Sequence, residues 1–282
     1  MKLPLILLLI LSCFSLWAET MPPTRIHDLK QDKAFKEALV FMENGRVLKA
    51  AFENKELLRT LQEAHLAQSF LIIEHNEKRQ IEDARIYPHM EVPESVLTEE
   101  IPWRKQNFTP TILSSYNEAK KIFRAQRGGS LGSSECYHRA HVWSWEAFKN
   151  SGINSMKIFM FFTQKFIREN DYEWWFHVSP MVYAKENGGV VEYIMDKRFL
   201  SGPSYLSTWT RIFVKGASCP EISKYSQYSQ NQEKESCYLM KFIMHYYQPK
   251  DLEALERLNA VKNFWFDWEI KEAYQLGYGV KK

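Results

Sequence analysis

The chain has 282 residues, with 37 lysines and arginines against 34 aspartates and glutamates. The resulting formal charge of +3 is too small to argue for a nucleic-acid partner. Nine tryptophans, 14 tyrosines and 18 phenylalanines supply a sizeable core and exclude a disordered chain. There is no basic block, low-complexity tract or internal repeat.

The first residues read as a secretory signal. Lys2 opens it, residues 3–11 are almost wholly apolar, and Ala18 is a small residue before Glu19 and Thr20. The apolar run falls short of the roughly 20 residues a membrane span needs. Residues 1–18 are therefore expected to be removed. The alternative is lipoprotein processing at Cys13, because Ile10-Leu11-Ser12-Cys13 loosely resembles a lipobox. Phe14-Ser15-Leu16-Trp17 continues the apolar core and favours cleavage after Ala18. The expectation is an exported monomer, secreted or periplasmic, with no membrane segment in its mature form.

Charge then divides the chain. Residues 19–105 hold 13 basic against 16 acidic side chains, and residues 106–282 hold 23 against 18. Pro88, Pro93, Pro102 and Pro110 mark a linker between them. Opposite signs are compatible with docking of one segment on the other. The first segment reads as a small α+β domain. Apolar residues at 35, 38, 39 and 42 predict a helix over 32–43, which Gly45 can end. A second helix is predicted over 54–68 with Asn54 as its cap, followed by strands at 69–74 and 80–87. Its histidines are scattered and form no catalytic constellation.

The second segment predicts helices over 112–126 and 135–150, with Gly152 just past the end of the latter. Strands are predicted at 156–163, 173–184 and 190–196, a helix at 204–214, a strand at 237–247 and a closing helix over 251–274. A cysteine-bearing helix packed on an antiparallel sheet is an α+β layer arrangement.

Three cysteines remain after signal removal. Cys219 and Cys237 stand 18 apart, bracket a polar segment over 220–236, and are expected to pair in an exported protein. That leaves Cys136. An odd thiol in such a chain is a nucleophile or a small buried apolar residue. Cys136 falls at a predicted helix start, where unpaired backbone N–H groups and the helix dipole stabilise a thiolate. A thiol nucleophile needs a base, and the base an orienting group. A hairpin with loop 185–188 that pairs Ala184 with Gly189 would set His177 opposite Asp196 on one face. The bland readings are a core histidine and a strand-end carboxylate. His138 and His141 also lie on the cysteine helix, but their spacing makes no recognised zinc pattern, so packing or capping roles are expected and no metal or cofactor is implied. Trp174 and Trp175 are candidates to line a substrate cleft, against the alternative that they are core.

These residues resemble a known family. Cys136-Tyr137-His138-Arg139-Ala140-His141 is similar to the nucleophile motif C-Y-x-R-A-H of bacterial protein-glutaminases, the protein-glutamine deamidases. Trp174-Trp175-Phe176-His177-Val178 resembles that family's histidine strand. Ile194-Met195-Asp196, Phe199-Leu200-Ser201-Gly202-Pro203 and Trp209 resemble its I-x-D…F-x-S-G-P…W stretch. Order and spacing agree over about 130–215. The resemblance implies a papain- and transglutaminase-like core in which Cys136 is nucleophile, His177 base and acid, and Asp196 orienter. It implies protein substrates with exposed glutamine. It also implies a zymogen whose pro-region, here 19–105 before a catalytic domain 106–282, is released by a protease, with Arg104-Lys105 a plausible cut. Two departures stand out: 159–163 lacks the family's Gly-Asn, and 164–172 is charged where the family has a small cysteine-bearing loop. Nothing in the N-terminal segment matches. The rival readings are a transglutaminase, a cysteine protease and a non-catalytic exported binding protein.

Overall fold

The structure is a computed structural model. It describes residues 18–32, 35–87, 108–258, 261–262 and 264–281. The expected signal through Trp17 and the expected cut at Arg104-Lys105 lie outside the described residues. The chain forms two compact units, Met1–Val40 with Leu48–Met90, and Phe41–Val47 with Glu91–Lys282.

In the first unit the helix Lys55–Leu66 forms as expected. The Asn54 side chain accepts from the Leu57 N–H at 3.1 Å, and Leu57, Leu61 and Ala64 are buried on one face. Strands Glu19–Thr24, Leu71–His75 and Ile81–Ile86 make one antiparallel sheet with Leu71–His75 in the middle. The predicted helix over 32–43 is not formed. Ile26–Asp32, Glu37–Met42 and Val47–Ala51 are instead three neighbouring strands. Ala38 to Met42 are all buried, so the spacing taken for one helical face belongs to a continuous apolar run, which a strand covered on both sides also produces.

The sheet of the second unit has the order Gly189–Ile194, Phe176–Glu186, Met156–Phe162, Cys237–Ile243, with neighbours antiparallel. The short strand Ile112–Leu113 runs parallel to Phe176–Glu186. Helix Cys136–Ser151 packs on Phe176–Glu186 and on the C-terminal helix Asp267–Tyr278. This is the expected α+β arrangement of a cysteine helix on an antiparallel sheet. The segment 112–126 splits into that short strand and a helix Tyr116–Ala125, because Ser115 caps the helix by accepting from the Glu118 N–H. The predicted closing helix 251–274 is two helices, Pro249–Leu258 and Asp267–Tyr278. The expected strand 237–247 ends at Ile243.

Cys219 and Cys237 are disulfide-bonded, with Cα atoms 4.9 Å apart. The bond ties the loop after helix Leu206–Phe213 to an edge strand of the sheet. Closing a loop of 18 residues is worth about 3 kcal/mol in the chain-entropy model. The double variant C219S/C237S should lose about that much unfolding free energy in urea titration. An unchanged midpoint would mean that the disulfide contributes nothing to stability.

Candidate active site

Helix Cys136–Ser151 begins at the sequence that carries the odd thiol. Glu135, in extended conformation, takes the cap position, and its backbone N–H donates to His138 Nδ1 at 3.2 Å. His138 therefore acts as a cap. Cys136 follows in the first helical turn, is buried, and is the free cysteine among the described residues. Arg139 donates to the backbone carbonyl and hydroxyl of Ser134, fixing the loop that enters the helix.

His177 is the second residue of strand Phe176–Glu186. Its Nε2–H donates to Asp196 Oδ2 at 2.6 Å, with both side chains buried. The expected pairing of 177 with 196 needs correction in its register. Glu186 pairs with Gly189 and Ala184 with Val191, a shift of two residues. The cause is the turn. Asn187 and Gly188 have φ of 48° and 82°, so a two-residue loop joins the strands in place of the expected loop 185–188. A shift of two leaves every side chain on its face. Asp196 therefore still shares a face with His177, as a diagonal neighbour, and the chain turning away after Ile194 brings the carboxylate in.

Asp196 is held from several sides. The Trp209 indole N–H donates to the same Oδ2 at 2.8 Å. The preceding Met195 is core, and its backbone carbonyl accepts from Gln126 Nε2 at 2.8 Å. Lys197 donates to the Arg124 and Gln126 carbonyls. Trp209 lay within the recognised stretch, whereas Gln126 and Lys197 gave no signal in the sequence. Phe199, Trp209 and Phe213 enclose the His177 ring at centroid distances of 5.2, 5.5 and 4.5 Å.

Burial pulls the His177 pKa down, but the Asp196 carboxylate, by charge and hydrogen bond, and its hydrogen bond with Cys136 outweigh it and lift the pKa to about 9. With Nε2 engaged by Asp196, Nδ1 is the nitrogen left for Cys136. An unfolded histidine titrates near 6.5. The stabilisation from this pair is thus complete below pH 6.5 and is lost as pH rises through about 9. A rise of that size corresponds to about 3 kcal/mol. The fall in Tm between pH 7 and pH 10 should accordingly be steeper in the native chain than in Asp196→Asn. Parallel curves would show that the pair does not set it.

The two tryptophans part company. Trp175 is 1% exposed, donates its indole N–H to the Met42 carbonyl and stacks on Phe161. It is a core residue, and the expectation that it lines a cleft is corrected. Trp174 is half-buried and carries the Arg46 guanidinium over its ring at 4.9 Å. Arg46 belongs to the tip Phe41–Val47, which groups with the second unit. The tip lies as an added strand beside 173–175: Val47 N–H donates to the Glu173 carbonyl at 2.8 Å, and Trp175 N–H to the Gly45 carbonyl at 2.9 Å. Gly45 has φ +97°, and a Cβ there would stand 3.0 Å from the Phe176 ring.

His141 is a packing residue, as expected, and it faces a buried lysine. Lys157 Nζ lies 2.7 Å from its Nδ1, and both are fully buried. Burial, and then neighbouring Lys262, hold Lys157 well below the usual lysine range. Lys262 in turn is paired with buried Glu269 at 2.5 and 2.7 Å. Among the described residues no group of histidine, cysteine and acidic side chains could hold a metal ion.

A buried thiol at a helix start, in contact with a histidine that a buried carboxylate orients, can perform nucleophilic acyl transfer. Residues 119–213, which carry all three motifs, match the family model described as Glutaminase. A mutant of pro-protein-glutaminase aligns over 82% of this chain and 85% of its own at 15% identity and a TM-score of 0.54. A second structure of pro-protein-glutaminase aligns over 82% and 84% at 16% identity and a TM-score of 0.51. No curated protein matches the sequence. The fold is that of pro-protein-glutaminase, and the resemblance to the protein-glutaminase family holds.

Proposed function

We propose that the chain is a protein-glutamine deamidase that converts protein-bound glutamine to glutamate and releases ammonia. The observation that carries this reading is the hydrogen-bonded line from Cys136 through His177 to Asp196, inside the segment that matches the Glutaminase model. The Cys136 thiolate attacks the side-chain amide carbon, and backbone N–H groups at the helix start receive the charge on the carbonyl oxygen. Protonated His177 gives its proton to the amide nitrogen, and ammonia leaves a γ-glutamyl thioester. His177 then takes a proton from water, the hydroxyl attacks the thioester, and glutamate departs as the thiol is restored. Asp196 keeps Nε2 protonated throughout, so that Nδ1 faces the reaction.

The same reading makes 19–105 a pro-region, with 106–282 the catalytic part. The tip Phe41–Val47 lies along 173–175, adjoining the histidine strand, which supports a masked site opened by proteolysis. The disulfide and the predicted signal support an exported chain, secreted or periplasmic. Among the described residues no helix is long and apolar enough to cross a membrane.

The test is ammonia release from a denatured glutamine-rich protein, before and after limited proteolysis of the full chain. Release should rise on proteolysis and vanish in Cys136→Ser. Ammonia accompanied by isopeptide product in the presence of a lysine donor would instead identify a transglutaminase, and new amino termini in the substrate a protease.

A further inference from the structure

Arg46 occupies a place built for it. Its backbone pairs antiparallel with Trp174, and its guanidinium lies over the Trp174 ring at 4.9 Å. The Glu173 carboxylate stands 3.9 Å from the guanidinium. Glu135, the residue before the candidate nucleophile, also feels the Arg46 charge: burial pushes its pKa up to about 7, and Arg46 and Arg139 act against that rise. An aromatic face with a carboxylate near it is the pattern that holds a planar guanidinium, and it suits arginine better than lysine.

Without Arg46, this arrangement would leave the Trp174 face and the Glu173 carboxylate without that cation. We propose that Trp174 and Glu173 form an arginine subsite, filled by Arg46 in the intact chain and, once Phe41–Val47 withdraws, by an arginine of the protein substrate. The enzyme would then prefer glutamines that have an arginine within a few residues along the chain. The inference rests on the deamidase reading and on the withdrawal of the tip.

The test uses single-glutamine peptides with arginine placed in turn at each of the three positions on either side, compared with citrulline, its neutral isostere. Binding is measured to the full-length Cys136→Ala chain after limited proteolysis, and ammonia release with the same treatment of the native chain. At one or two positions arginine should bind about tenfold more tightly than citrulline, as expected for one cation–aromatic contact plus a half-exposed ion pair. Glu173→Gln and Trp174→Ala should each reduce that ratio to about twofold. Equal binding of arginine and citrulline at every position would overturn the proposal, and so would a ratio that both variants leave unchanged. Preferential binding of arginine peptides without ammonia release would sink the deamidase reading and leave the subsite standing.

A second measurement needs no proteolysis. In the intact Arg46→Ala chain, Cys136 should alkylate faster than in the native chain, and millimolar methylguanidinium should slow it again where ethylammonium does not. If the two cations acted alike, the site would not be one for arginine.

Discussion

Replacing His177 by alanine is expected to lower kcat for ammonia release by about 10³–10⁴-fold, with little change in KM. The ring does two jobs that no neighbour can assume. His138 is spent on the helix cap, and His141 is sealed against Lys157. Asp196→Asn should cost about 10²–10⁴-fold for a different reason. An amide can donate to Nε2, which would place the ring proton on Nδ1 and deny the thiol its acceptor. Trp209→Phe removes one of the donors on Asp196 Oδ2 and should cost about tenfold. Graded losses in that order, with Tm measured alongside, would support the line from Cys136 to Asp196. A His177→Ala chain that folds and keeps a tenth of native kcat would remove His177 from the mechanism.

The order of these effects also shows what the sequence could reveal. Cys136 was legible because it is the thiol left over when Cys219 and Cys237 pair, and because a helix starts beside it. His177 and Asp196 were legible through face parity, which survives an even error in register. The register itself was misread because Asn187-Gly188 can close a hairpin alone, and the four-residue loop offered a second solution. The strand Glu37–Met42 was misread because a short buried run carries no period of its own. The arginine site was invisible. Arg46 is far along the chain from Trp174 and Glu173, and no pattern within one element joins them.

The buried ionic cluster behind the cysteine helix was equally hidden, and its removal should have the largest effect on stability. Lys157 stood in the sequence as a lone cation in an apolar strand, and Lys262 in what read as the middle of one helix. In the fold one helix ends at Leu258 and the next begins at Asp267, and Lys262, between them, is buried against Glu269. Burial pushes the Glu269 pKa up, and Lys262 acts against it, leaving it at about 7. Lys262→Ala takes away that opposing charge and leaves a carboxylate enclosed by the protein. Breaking such a pair costs about 3–5 kcal/mol. The loss should depend on pH. Below the ordinary carboxylate value of 4.5 the Glu269 carboxyl is protonated in both the folded and unfolded states, and it contributes little of the cost. As pH rises past the ordinary carboxylate value of 4.5, the unfolded chain gives up its proton more readily than the folded variant does. The native carboxyl behaves in the same way up to about pH 7, where it ionises. The variant, lacking Lys262, should go on losing stability above that pH, so its total fall from pH 5 to pH 8 exceeds that of the native chain. The pair replacement K262M/E269L removes both charges and should recover most of the loss, because a buried ion pair can be exchanged for apolar residues at little cost. Urea titrations of the three chains at pH 5 and pH 8 decide the matter. A Lys262→Ala loss equal at both pH values would assign it to packing around the lysine stem, with no contribution from the stranded carboxylate.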